Sequence, residues 1–193
     1  MMLDINALRA ACAAEGTGSS DYDLSPEVAA PAGRTLRAAA VLIAVQDSTR
    51  GLELVLTKRS SKLKHHPGQI AFPGGKVDGD EDDITAALRE AREEIGLAGA
   101  DVLGTLPPHE TVTGFNVTPV LAHIPAPFAP VPEPGEVEEV FNVPMSHVMT
   151  PANYIIERRM WRGNWRQFYT VPYGPYYIWG ATARMLRGLA ERL

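Results

Sequence analysis

The chain has 193 residues, enough for one domain of ordinary size with a sizeable core. Apolar residues make up 45% and charged residues 21%, and 17 Gly with 16 Pro stay below the level of a disordered chain. The formal net charge of −5 argues against non-specific binding to nucleic acid or to an anionic membrane. Cys12 is the single cysteine, which excludes a disulfide framework and a thiolate metal site. Met1-Met2-Leu3-Asp4 has neither the basic start nor the apolar core of a signal peptide. The longest apolar run, Ala38 to Val45, is far shorter than the ~20 residues of a membrane span. Glu191-Arg192-Leu193 does not match the Ser-Lys-Leu peroxisomal address. A cytoplasmic protein of one domain, residues 1–193, is the expectation.

In chain order, residues 5–14 predict a short helix and 15–33, rich in Gly, Ser, Asp and Pro, a loop. Leu36 to Gln46 and Leu52 to Lys58 read as buried strands joined by a polar turn over 47–51. Gln69 to Phe72 is a short strand stopped by Pro73-Gly74-Gly75. A helix follows from about Asp83 to Ile95, with Ile84, Leu88, Ala91 and Ile95 as its apolar stripe and Gly96 as its C-terminal cap. Val102 to Leu106 and Val117 to Ile124 are strands. Residues 125–134 hold five prolines in ten positions; Pro127-x-x-Pro130 matches a polyproline ligand motif, but a rigid internal loop is the expectation. Glu136 to Val143 is a strand, Tyr154 to Trp161 and Trp165 to Val171 form a hairpin, and Ile178 to Leu193 is an amphipathic helix. Strands mixed with a few helices fit one α/β domain.

The charges are unevenly placed. Eight acids, Asp78, Asp80, Glu81, Asp82, Asp83, Glu90, Glu93 and Glu94, fall within 17 residues. Arg50, Lys58, Arg59, Lys62 and Lys64, with His65 and His66, lie upstream. On a helix Glu90 and Glu94 stack ~40° apart with Glu93 beside them, and the apolar stripe centres ~140° away. Acidic runs are most often solvated helix faces. Three clustered carboxylates also repel one another, a cost that a hard cation such as Mg²⁺ or Mn²⁺ converts into binding energy.

Gly75, five residues, Glu81, seven residues, then Arg89-Glu90-Ala91-Arg92-Glu93-Glu94-Ile95-Gly96-Leu97 resembles the Nudix box over residues 75–97. Ala91 alone departs, being small where the pattern has a bulky aliphatic residue. The resemblance implies the α/β Nudix fold, a mixed β-sheet sandwiched between helices, and metal-dependent hydrolysis of a nucleoside diphosphate linked to another group. It implies Glu90 and Glu94 as Mg²⁺ or Mn²⁺ ligands and Glu93 as ligand or base. Arg89 would position the carboxylates, together with Glu81.

Val55 through Gly75, with Thr57, Arg59, Ser60, Leu63, His66, Gly68 and Phe72-Pro73-Gly74-Gly75, resembles the signature of coenzyme A pyrophosphatases. Thr111 to Phe115, Glu136-Val137 and Ile178-Trp179-Gly180 continue the likeness. It implies cleavage of coenzyme A or its acyl derivatives to adenosine 3′,5′-bisphosphate and (acyl-)4′-phosphopantetheine. Lys58, Arg59, Ser60 and His66 would meet phosphate groups, and Gly74 and Gly75 would bring backbone close to the reacting centre. The resemblance also makes Glu136 or Glu93 the general base. Glu138, two residues on, is expected to share Glu136's face of the strand. His109 could face the site. The tyrosines and tryptophans after 154 are expected in the core or in homodimer contacts. ADP-ribose or NADH as substrate, and a non-catalytic ligand sensor, are the competing readings.

Overall fold

The computed structural model describes residues 3–28, 30–126, 128–161 and 163–193. Met1 and Met2 of the leader reading, and Pro127 of the polyproline match, lie outside the described residues.

The helices are α1 (Ile5–Ala13), α2 (Asp83–Ile95), α3 (Met145–Val148) and α4 (Gly180–Ala190). The strands are β1 (Ser19–Ser20), β2 (Arg37–Ser48), β3 (Gly51–Arg59), β4 (Ile70–Ala71), β5 (Gly74–Lys76) and β6 (Asp101–Thr105), followed by β7 (His109–Glu110), β8 (Phe115–Ile124) and β9 (Val137–Pro144). These build one mixed sheet. β10 (Ile155–Trp161) and β11 (Asn164–Thr170) form a separate antiparallel hairpin.

The long strand β2 is the spine. It runs parallel to β8 from Arg37↔Phe115 to Gln46↔Ile124. On its other side it pairs with β5 near its start and with β3 near its end. Alternation along β2 serves two cores. Ala39, Ile43 and Val45 enter the core beneath α1 and α4, with Leu8, Leu54, Leu121, Leu186 and Leu189. Ala40, Leu42 and Ala44 enter the core beneath α2, with Val55, Ala86, Ala87, Ala91 and Ile95. A strand buried on both faces reads as an unbroken apolar run, which is why Ala38 to Val45 is so apolar. The sheet is thus sandwiched between helices, as expected.

The expected stripe of α2 is corrected in one respect. Ala86, Ala87, Ala91 and Ile95 are its fully buried apolar residues, while Ile84 and Leu88 pack at the rim. Alanines on the helix face alanines on β2 and β8, so α2 sits close to the sheet. The small Ala91 belongs to that close approach.

Three further expectations change. The turn at 47–51 shortens to a tight hairpin closed by Ser48↔Gly51. Gly74 and Gly75 do not merely stop a strand: they form β5, pairing with Val41 and Ala40. Ser19 and Ser20, within the expected loop, pair in parallel with His109 and Glu110. Among the described residues no helix is long and apolar enough to cross a membrane.

Overfilling the alanine interface is costly, because inserted methylenes push packed elements apart. Ala91→Leu is expected to lower stability by about 1–3 kcal/mol, read as a lower urea midpoint. An unchanged midpoint would contradict the close packing of α2.

Candidate active site

Local rules place α2 firmly. The Asp82 side chain caps its start by accepting from Thr85 N–H at 2.7 Å, and Gly96 ends it in the left-handed conformation at φ 72°. Asp83 accepts from the Thr118 hydroxyl at 2.7 Å, tying the first turn to β8. At the other end the proline-rich loop returns to the helix. Val131 N–H donates to Ile95 C=O and Glu133 N–H to Glu94 C=O, both at 2.9 Å. Glu136 N–H and Val137 N–H then bond Glu133 C=O, which sets Glu136 beside the helix.

Arg89 is the centre of the polar network. Its Nη2 donates to Glu81 Oε1 at 2.7 Å and its Nε to Glu81 Oε2 at 3.2 Å, a forked pair. Its Nη1 reaches Glu90 at 2.9 Å and Glu93 at 3.2 Å, and its Nη2 also reaches Lys76 C=O at 3.1 Å. The bonds to Glu81 and Glu90 push the guanidinium pKa up, and the Arg89 bond holds Glu81 below its usual range.

The two outer carboxylates of the helix face inward. Glu94 is 4% exposed and accepts from Gly74 N–H at 3.2 Å; Arg59 Nη1 lies 3.9 Å from it. Burial pushes its pKa up to about 7, with Glu90 and Glu136 raising it further and the Gly74 and Arg59 contacts opposing. Glu90 is raised by burial and by Glu93 and Glu136, against Arg89. Glu94 thus feels Glu90 and Glu136, and Glu90 feels Glu136 and Glu93, the last of which is 59% exposed and turned toward Arg89.

The glycines make this crowding feasible. A Cβ on Gly75 would overlap the Glu90 carboxylate, and one on Gly74 would stand 2.5 Å from Ala40 C=O and 2.6 Å from Val41 Cα. Among the described residues no three acidic, His or Cys side chains already meet as a metal cage. Arg89 draws Glu90 aside, and Gly74 N–H holds Glu94. The donor set is nonetheless all oxygen and mutually repelling, and it sits on a backbone notch shaped for Glu90. That chemistry fits a hard divalent cation.

The upstream segment, which leads along the chain into Gly74 and Gly75, lines a groove of about 490 Å³. Lys58, His66 and Gln69 line one side; Tyr176, Tyr177 and Trp179 line the other. Partial desolvation, Arg59 and His65 lower the His66 pKa. Lys58 is engaged by Glu138 at 2.7 Å. Ser60, expected at the substrate, is buried: its hydroxyl accepts from Lys62 N–H and its N–H donates to Glu136 C=O at 2.8 Å. It belongs to the framework that holds Glu136 against β3.

Other expectations are corrected. The register slips between Lys58 and Arg59, where Glu139 and Val137 are the partners, leaving Glu138 as the bulged residue. The bulge breaks simple alternation, so Glu138 pairs with Lys58 and accepts from Ser61 N–H, away from Glu90 and Glu94. His109 does not face the site. It is fully buried between the Ser19 hydroxyl at 2.9 Å and Asp21 at 3.2 Å, clasping the N-terminal segment to β7. Tyr176 packs against the core and stacks on Phe141, in line with the core expectation for the later aromatics, and with Tyr177 and Trp179 it also lines the groove. The Ile178-Trp179-Gly180 match was the signal that could have found them.

Glu94 makes stability depend on pH. Folded, it keeps its proton to about pH 7; unfolded, it releases it near the ordinary 4.5. The folded state binds more protons between those values, so stability falls as pH rises through that window, by about 3 kcal/mol in all. With chelator present, the denaturation midpoint of the wild type is expected to decline more steeply from pH 4.5 to 7 than that of Glu94→Gln. Parallel slopes would contradict the buried placement of Glu94.

A NUDIX domain model matches residues 35–162. A protein of Citrobacter koseri named as an uncharacterized Nudix hydrolase, NudL, is 43% identical over 166 residues, covering 83% of this chain and 86% of that one. Its namesake in Cronobacter sakazakii is 42% identical over 143 residues, 72% of this chain and 74% of that one. The crystal structure of a MutT/nudix family protein from Enterococcus faecalis shares the fold at TM-score 0.58 and 16% identity, over 86% of this chain and 65% of that one. A Nudix hydrolase of M. smegmatis, RenU, matches at TM-score 0.51 and 25% identity over 61% of this chain and 83% of that one. Nudix hydrolases use divalent metal ions and act on nucleoside diphosphate derivatives. With the box residues gathered around Arg89 and the domain matched over most of its length, the chain belongs to the Nudix hydrolase family.

Proposed function

We propose that this Nudix hydrolase cleaves the pyrophosphate of coenzyme A or acyl-coenzyme A, giving adenosine 3′,5′-bisphosphate and (acyl-)4′-phosphopantetheine. The observation that carries the reading is the groove: the segment from Val55 to Gly75, which resembles the coenzyme A pyrophosphatase signature, runs from the wall of a 490 Å³ groove directly into the glycines that cradle Glu90.

Glu90 and Glu94 would hold Mg²⁺ or Mn²⁺. When bound, the cation supplies Lewis acidity toward the pyrophosphate oxygens. The chain's own groups do the rest. Arg89 keeps Glu81, Glu90 and Glu93 in fixed positions, so little reorganisation accompanies substrate entry. Gly74 N–H steadies Glu94. Glu136 takes a proton from the attacking water as a P–O bond to the bridging oxygen breaks. It is favoured over Glu93 because Arg89 Nη1 already binds the Glu93 carboxylate at 3.2 Å. Arg59 and His66 provide charge-assisted contacts for phosphate, including the ribose 3′-phosphate. The thiol end of the substrate lies far from the cleaved bond, so acylation is tolerated.

Incubation of the pure protein with coenzyme A and Mg²⁺ or Mn²⁺ is expected to release both products, with Glu94→Gln near background. Release no greater than that variant, or faster cleavage of ADP-ribose or NADH, would overturn the substrate assignment. Coenzyme A lacking its 3′-phosphate is expected to show a kcat/KM about ten- to a hundredfold lower, the loss of one charged contact. Equal turnover would remove the role given to Arg59 and His66. Arg89→Lys keeps the charge but loses the fork, and kcat is expected to drop at least about tenfold with KM little changed.

A further inference from the structure

The hairpin β10–β11 stands apart from the main sheet, and β10 is exposed along nearly its whole length. Ile155 is 54% exposed, Ile156 51%, Met160 49% and Trp165 53%. Proteins normally protect a long apolar edge strand. Here, among the described residues, β11 is the only strand paired with β10, and no strand pairs with the far edge along Ile155 to Met160.

We propose that a second copy of this chain covers that edge, pairing its own β10 antiparallel to β10 about a twofold axis at Arg158. The hairpin register closes at Trp161↔Asn164. In a hairpin closed that tightly the terminal pair exchanges both bonds, and alternate pairs do the same. Ile156, Arg158 and Met160 therefore turn their N–H and C=O groups outward.

The strand is self-complementary in one symmetric register. With Arg158 opposite its copy, all seven residues of β10 are paired. Ile156 meets Met160 of the second copy, and Ile155 meets Trp161. Glu157 meets Arg159, twice by symmetry. Moving the axis to residue 157 or 159 instead sets Glu157 against Glu157 or Arg159 against Arg159, which costs energy for like charges directly opposed. The cost that remains is Arg158 against Arg158. It is eased because each Arg158 guanidinium lies over the Trp165 ring, 5.1 Å from its centroid, rather than over the axis. The Glu157 side chain accepts from the Tyr177 hydroxyl at 2.8 Å and the Thr170 hydroxyl at 3.3 Å, which holds it in place. Pairing joins the two hairpins into one four-stranded sheet, and the contact is isologous, so it closes at two copies.

Light scattering on the full chain is expected to give twice the 20.9 kDa chain mass. Arg159→Glu should give monomers, and the swap Glu157→Arg with Arg159→Glu should restore the dimer. Arg158→Cys in a Cys12→Ser background should form a disulfide-linked dimer on oxidation, since directly opposed bonded residues have Cα atoms about 5.5 Å apart. Circular dichroism checks that each variant is folded, and the disulfide test stands independently of the charge variants. A monomeric wild type, a dimer indifferent to Arg159→Glu, or a folded Arg158→Cys protein that does not cross-link would overturn the proposal.

Discussion

The close approach of Gly74 and Gly75 to both β2 and α2 is the constraint on which the rest of the site depends. The two residues pair with Val41 and Ala40 on one side and receive Glu90 and Glu94 on the other. A side chain at Gly74 would push the strand off β2, and one at Gly75 would displace the Glu90 carboxylate. The alanine-on-alanine contact beneath α2 is the matching adjustment on the helix. It brings a 13-residue helix near enough that a carboxylate fills the space where a Cβ would stand. Packing and chemistry are one arrangement here: the small residues that let the core close also bring the acids together.

Bringing carboxylates together in a half-buried place is unfavourable unless something offsets their charge. Arg89 does so for Glu81, Glu90 and Glu93, and Gly74 N–H with Arg59 does so for Glu94. The compensation is incomplete at Glu94, whose pKa rises to about 7. A site with residual demand for positive charge is suited to a hard cation. The net charge of −5 says little about this, because the order of charges along the chain sets the local field.

Much of this was legible in the sequence because it is local. Asp82 and Gly96 mark the helix ends, and the spacing from Gly75 to Leu97 carries the family resemblance. The strand β2 could be read from its unbroken apolar run. What could not be read depends on distant partners. The bulge that diverts Glu138 to Lys58 arises from pairing across about 80 residues. The burial of His109 depends on Ser19 and Asp21, which belong to a segment that reads as plain loop. The helical wheel placed Glu90, Glu93 and Glu94 on one face opposite the apolar stripe, yet Glu94 is buried and Glu93 is exposed. Alanines define the true contact, and a wheel weighted toward Ile84 and Leu88 is rotated from it. The aromatic wall of the groove depends on distant partners too: Tyr176, Tyr177 and Trp179 reach residues 58–70 only in the fold.

The central claim is that Glu90 and Glu94, set against the Gly74-Gly75 notch, form a divalent cation site. Electron paramagnetic resonance of Mn²⁺ titrated into the full chain tests it without reference to any substrate. The account predicts saturable binding in the wild type, strongly weakened in Glu90→Gln and in Glu94→Gln and weakened little by a change at the outward-facing Glu138. Equal Mn²⁺ binding by the wild type and both glutamine variants would contradict it.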